Sequence, residues 1–197
     1  TLIGTMPLFT FLISFCLFKV NFEKRTLLGL IIGFVGMIIF LNPFGEVTSK
    51  NSFLFSSLII LSSAFYAFSA NWVKTVNEES SLELACCSIA VASLILIPMV
   101  LILLFFNNFD MHSLFSSITM KSFISATILG IFCTGLAIAM FFYLIDKNSA
   151  VFASQSNYLI PCFGFLWSFL FLEESFTLNL FLGFLLIVAG GMLVNKE

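Results

Sequence analysis

The stretch AVFASQSNYLIPCFGFLWSFLFLEESFTLNLFLGFLLIVAGGMLV, residues 150–194, decides the fold. Its only charges are Glu173 and Glu174, and an apolar segment lies on each side of them. Each segment is close to the roughly 20 residues an α-helix needs to cross hydrocarbon. Barrel strands would be about 10 residues long and would alternate apolar with polar residues, and these segments do not alternate. Inside lipid a segment must satisfy its own backbone hydrogen bonds, so both read as helices despite their aromatic and β-branched content.

The pattern extends over the whole chain. Removing every Asp, Glu, Lys and Arg leaves seven uncharged runs: 1–18, 26–45, 51–73, 84–109, 122–145, 148–172 and 175–195. The 197 residues are 60% hydrophobic and 9% charged, with 28 Phe, against about 25% charged residues in a soluble domain. A water-facing surface cannot be made from this inventory. The fold class is therefore all-α: a polytopic membrane bundle of seven transmembrane helices joined by short loops, with no soluble domain. The first run has no basic stretch before it and no small-residue cleavage site, so it does not read as a secretory signal. Pro43-Phe44-Gly45 ends the second helix. The longest linker, 107–121, carries Asp110 and His112 and reads as a surface loop.

Lys and Arg set the orientation. Six of them (Lys19, Lys24, Arg25, Lys74, Lys147 and Lys196) fall on one side, and Lys50 and Lys121 on the other. That asymmetry predicts a cytoplasmic C-terminus in a cytoplasmic (inner) membrane. A net charge of −2 argues against a nucleic-acid partner. Five scattered Cys with no CxxC and no paired His indicate neither a disulfide framework nor a metal site, and they read as buried small hydrophobes. No cofactor is called for.

The chain also repeats itself. Aligning Pro7 with Pro161 lays PLFTFLISF (7–15) on PCFGFLWSF (161–169), with Pro7, Phe9, Phe11, Leu12, Ser14 and Phe15 identical in both copies. Continued without a gap, Phe22 falls on Phe176, Leu28 on Leu182, Gly29 on Gly183 and Gly36 on Gly190. An odd number of crossings separates the copies, so they stand upside-down to one another. Inverted repeats are the architecture of secondary transporters, with a solute site near the midplane. The repeat implies two five-helix halves: residues 1–45 would be the last two helices of the first and 51–197 the complete second. The chain would then be part of a ten-helix inverted-repeat transporter, which the absent initiator Met agrees with. A natural seven-helix protein is the alternative.

These residues resemble a known family. Residues 150–194 are similar to the closing hairpin of EamA-type permeases of the drug/metabolite transporter superfamily. The shared pattern is a small-residue helix start, Leu159-Ile160-Pro161, an aromatic-aliphatic stretch, an acidic residue after the helix, Gly183 and a Gly190 close. Residues 4–40 resemble the same hairpin of the first half, and 128–150 resemble the family more weakly. The resemblance implies ten helices in two inverted halves, cytoplasmic termini, and transport of a small metabolite or drug-like solute; it favours export of an amino-acid-like or other polar metabolite and leaves uptake open. Two positions depart from the pattern. The usual Glu falls on Glu174 in one copy but on Val20 in the other, and the usual Gly at the start of a half's fourth helix is replaced by Asn148-Ser149.

Polar residues inside the runs are the candidate solute contacts. Ser154, Asn157, Tyr158 and Pro161 recur at helical spacing in the sixth run, and Pro161 frees a carbonyl one turn earlier. Ser62, Tyr66 and Ser69 share a face of the third run, and Thr134 lies in the fifth between Gly130 and Gly135. The rival reading is that such residues only bond helices together. Pro7, Gly29, Gly33, Gly36, Gly183 and Gly190 read as packing positions, within the fold or between the protomers of a homodimer. No run carries an acidic or basic residue near its centre, and no base is placed to activate a Ser, so an enzyme is not expected. The alternative to transport is a non-transporting membrane assembly or sensor protein, which a sealed bundle without a polar cavity would favour.

Overall fold

The computed structural model describes residues 2–41, 52–76, 80–106, 118–172 and 177–194. Every regular element among them is helical. A 3₁₀ turn, Leu2–Thr5, leads into α1 (Met6–Cys16), followed by α2 (Lys24–Leu41), α3 (Ser52–Thr75) and α4 (Ser81–Phe106). Then come α5 (Met120–Ile128), a π-helical stretch (Leu129–Leu136) and α6 (Ala137–Lys147). The chain closes with α7 (Ala150–Ser154), α8 (Ser156–Leu172) and α9 (Leu178–Val194). Pro43-Phe44-Gly45, Lys50, the Asp110 and His112 linker, Glu173-Glu174 and Lys196 lie outside the described residues.

Four stretches are long and apolar enough to cross a bilayer: Lys24–Leu41, Leu54–Thr75, Ser81–Phe106 and Met120–Lys147. Leu2–Cys16 and Leu178–Val194 are apolar but shorter. The first run was expected to be helical throughout 1–18, and the α-helix proper is shorter at both ends. Its start winds as the 3₁₀ turn, with Thr5 Oγ1 donating to the Leu2 carbonyl (2.7 Å). Pro7 sits in the first turn of α1, where its missing N–H costs nothing. At the other end Lys19 adopts a positive φ of 53°, and the Val20 N–H turns back to the Ser14 carbonyl (3.1 Å). The fifth run forms one long stretch whose middle is π-wound. There Thr134 Oγ1 donates five residues back to the Leu129 carbonyl (3.1 Å).

Side chains that compete with the backbone mark several helix starts. Ser80 and Glu83 form a reciprocal capping box before α4: the Glu83 N–H donates to Ser80 Oγ (3.2 Å) and the Ser80 N–H to Glu83 Oε2 (3.3 Å). Thr119 caps α5 by accepting from the Ser122 N–H (3.1 Å). Ser149 is extended and accepts from the Phe152 N–H (3.1 Å), so the residue standing in place of the usual Gly is an N-cap for α7.

The chain divides into two compact units, residues 1–77 with 144–197, and residues 78–143. In the second unit α4 packs on the π stretch. In the first, the closest pairing is α2 against α9, and its surfaces are glycine. A Cβ placed on Gly29 would lie 2.7 Å from the Gly190 carbonyl oxygen, and one on Gly190 would lie 2.5 Å from that of Gly29. Likewise Gly36 would meet the Gly183 oxygen at 2.9 Å, and Gly183 the Gly36 oxygen at 2.7 Å. Real side chains do not sit this close, so backbone rests on backbone, as small residues permit between helices in lipid. Gly29 faces Gly190 and Gly36 faces Gly183, so α2 and α9 run antiparallel.

Around this seam Met37, Phe40, Tyr158, Cys162 and Ile187 form one buried cluster, and Leu30, Val151 and Val194 another. The expectation of buried cysteines holds for Cys162 alone. Cys16, Cys86, Cys87 and Cys133 are exposed. On a membrane-crossing helix an outward position meets lipid tails, which suit a small hydrophobe as well as a protein core does.

Candidate functional site

The break between α7 and α8 organises the polar residues of the sixth run. The Tyr158 N–H bonds to the Gln155 carbonyl three residues back (2.9 Å) instead of the Ser154 carbonyl, which an unbroken helix would use. Asn157 fills the gap: its Nδ2 donates to the Ser154 carbonyl (2.9 Å) and also reaches Met6 Sδ in α1 (3.1 Å). Ser154 is fully buried and donates to the Val151 carbonyl (2.7 Å). Tyr158 crosses to α2, where its hydroxyl donates to the Leu30 carbonyl (3.3 Å). Its ring lies against Gly33, where a Cβ would be only 2.9 Å away. Pro161 is half-buried one turn further on. The structure thus brings Ser154, Asn157 and Tyr158 together, with their polar atoms bonded within the protein.

The other candidates lie apart from this group. On α3 the packed face is Ser63, Ala67, Ala70 and Asn71, while Ser62, Tyr66 and Ser69 are exposed. Asn71 is the polar centre of the α1–α3 contact. It accepts from the Ser14 hydroxyl and donates to the carbonyls of Thr10 (3.1 Å) and Ala67 (2.9 Å). Trp72 is exposed and stacks on Phe68, with ring centroids 6.0 Å apart. Lys74 Nζ, at the end of α3, donates to the Asp146 carbonyl at the end of α6 (2.7 Å). Thr134 belongs to the second unit.

A cavity of about 370 Å³ opens within the first unit, between the end of α6, the α7–α8 break and α9. Leu144, Phe152, Leu159, Ile187 and Met192 supply its apolar wall, and Gln155, Ser156 and Tyr158 are its polar residues. Among the described residues, none that lines it is charged. Gln155 is 8% exposed, and its amide nitrogen has no hydrogen-bond partner among the described residues. Its Oε1 lies 3.5 Å from where a Cβ on Gly191 would be, so the absence of a side chain at Gly191 leaves the amide room. Gln155 lies in the same run as Ser154 and Asn157 but off the face that regular helical spacing selects. The break moves it out of register with Asn157, and no local signal announces that break.

These features define a polytopic helical membrane protein: apolar helices long enough to span, polar side chains bonded across helix contacts, and a backbone-to-backbone glycine seam. Residues 54–196 match the EamA-like transporter family, and the chain belongs to it. It is accordingly an integral membrane protein of the permease kind, and the family implies a non-enzymatic transporter. No curated protein and no solved structure matches the chain.

Proposed function

We propose that the chain carries a small metabolite or drug-like solute across the cytoplasmic membrane, in the outward direction, by alternating access between two inverted halves. Residues 1–45 are the closing hairpin of one half and 51–197 the five helices of the other, giving seven crossings here and ten in the whole carrier. The C-terminus is cytoplasmic, as the Lys and Arg count expects.

The observation that carries this reading is the cross-pairing of the seam glycines. The sequence repeat equates Gly29 with Gly183 and Gly36 with Gly190. In the structure Gly29 touches the equivalent of Gly36, and Gly36 touches the equivalent of Gly29. That exchange is what a two-fold axis produces at a self-complementary contact. It supports two related hairpins meeting across a pseudo-two-fold axis, the relation that lets a carrier's halves trade conformations.

The test has two arms. In a Cys-free background, Lys24→Cys and Glu174→Cys are labelled from one side of sealed vesicles with an impermeant maleimide. Opposite accessibility is expected, and labelling from the same side overturns the inverted arrangement. Counterflow of neutral and zwitterionic aromatic solutes into proteoliposomes then tests transport, and flux no greater than in protein-free vesicles across the panel overturns it.

A further inference from the structure

We infer that the cavity beside Gln155 is a solute subsite for uncharged, mainly apolar molecules that carry one hydrogen-bond acceptor oxygen, such as aromatic ketones and amides. The inference deepens the transport reading by naming a substrate class, and it rests on that reading only for its physiological meaning. Three observations carry it.

The first is the amide of Gln155, more than nine-tenths buried, at the cavity wall, with an unpartnered nitrogen. Buried polar groups in folded proteins are almost always paired, and this enclosed nitrogen can gain an acceptor from an occupant only by turning into the cavity. The terminal torsion of Gln is broad and roughly two-fold, so the amide can turn its N–H toward that acceptor without disturbing the helix. The second is the lining, in which no described residue is charged. An ammonium or carboxylate held there would be desolvated without a partner, which disfavours amino-acid zwitterions. The third is size. About 370 Å³ is at the small end of the roughly 300–1,000 Å³ found for small-molecule sites. A lipid tail has no acceptor and would leave the amide unpaired, so a lone acyl chain is a poorer match than a compact ketone.

The site is separate from the Ser154–Asn157–Tyr158 hydroxyl and amide contacts, which are already bonded to α1 and α2 or within α7. Only the Tyr158 side chain is common to both.

Benzophenone is a suitable probe, being neutral, apolar, built around one carbonyl, and photoreactive toward nearby C–H bonds. The protein in lipid nanodiscs is irradiated with it, and labelled peptides are mapped by mass spectrometry. Label is expected to concentrate on 152–159 and 187–192 over the lipid-level background on α4. Excess 4-phenylbutan-2-one should suppress that label, while butylbenzene and phenylalanine should not. Gln155→Leu, which keeps the volume, should lower the site label about tenfold, the scale of one lost hydrogen bond. The competition series on the unaltered protein gives an answer even if that variant fails to fold. Equal suppression by ketone and butylbenzene, stronger suppression by phenylalanine, or label spread evenly over α4 and α9 would each overturn the inference. Labelling needs no flux. Site label with no flux of any solute in the panel removes the transport reading and leaves the subsite, and counterflow without site label does the reverse.

Discussion

Consider adding one methyl group to the glycine seam, Gly190→Ala. The new Cβ would lie 2.5 Å from the Gly29 carbonyl oxygen and 2.6 Å from the Gly33 nitrogen. Both are backbone atoms, so no side chain can swing aside. Restoring an ordinary 3.4 Å contact parts α2 from α9 by about 0.9 Å, taken as 3.4 − 2.5. Overpacking of this kind costs about 1–3 kcal/mol. Replacing a mid-helix Gly by Ala returns about 0.5–1 kcal/mol. The net expectation is a loss of about 1–2 kcal/mol, read from unfolding free energies in mixed micelles. Gly164→Ala is the control: among the described residues nothing lies within 4 Å of a Cβ there, so only the propensity gain remains. Gly29→Ala presses on the same contact from the other side, since its Cβ would lie 2.7 Å from the Gly190 oxygen. Once the helices have parted for one methyl, the second fits more cheaply, so the double variant should cost less than the two singles summed. If Gly190→Ala is no less stable than Gly164→Ala, backbone does not rest on backbone at this seam and the reasoning fails.

Other substitutions test separate contacts by the same unfolding measurement. Asn71→Leu removes the bonds to Ser14 and Thr10 and should cost about 1–2 kcal/mol, with Ser14→Ala adding little once Asn71 is gone. Ser149→Ala deletes the α7 cap and should cost about 1 kcal/mol, while Ser149→Asp should retain most of the stability. Tyr158→Phe keeps the ring against Gly33 but loses the hydroxyl bond to Leu30, for about 1 kcal/mol. A cost near zero in any of the three would show that the named bond is not made in the membrane.

Much of this architecture is legible in the sequence because lipid leaves the chain few options. An uncharged apolar segment of the right length must satisfy its own backbone, so 26–45, 51–73, 84–109 and 122–145 each overlap one of the four long apolar helices. The seam glycines stand out because Gly is poor helix filler and recurs at matched places in the two copies. What the sequence hides is rotation. Regular spacing put Ser62, Tyr66 and Ser69 on one face of α3, and they do share one, but the packed face is the one with Ser63 and Asn71. A small hydroxyl gives no sign of which neighbour it meets. The sixth run is harder still. One tight turn at Gln155 rotates α8 relative to α7, so a face drawn at constant pitch joins residues that point differently. Likewise the π turns at Leu129–Leu136 shift register within a segment whose composition reads as continuous helix.

The seam and the cavity bear on each other through Tyr158. Its hydroxyl bonds to Leu30 and its ring covers Gly33, so it is fastened to α2, yet it also forms part of the cavity wall beside α9. Any sliding of α2 along α9 would carry the Leu30 carbonyl with it and pull on the Tyr158 side chain. Occupancy of the cavity and the register of the seam would then be coupled, and by linkage each would bias the other equally. A solute that favours one register must hold Tyr158 differently in the two, since equal binding to both would shift nothing. The hydroxyl bond of Tyr158 to Leu30 is therefore the contact that ties this part of the cavity wall to α2 at the seam.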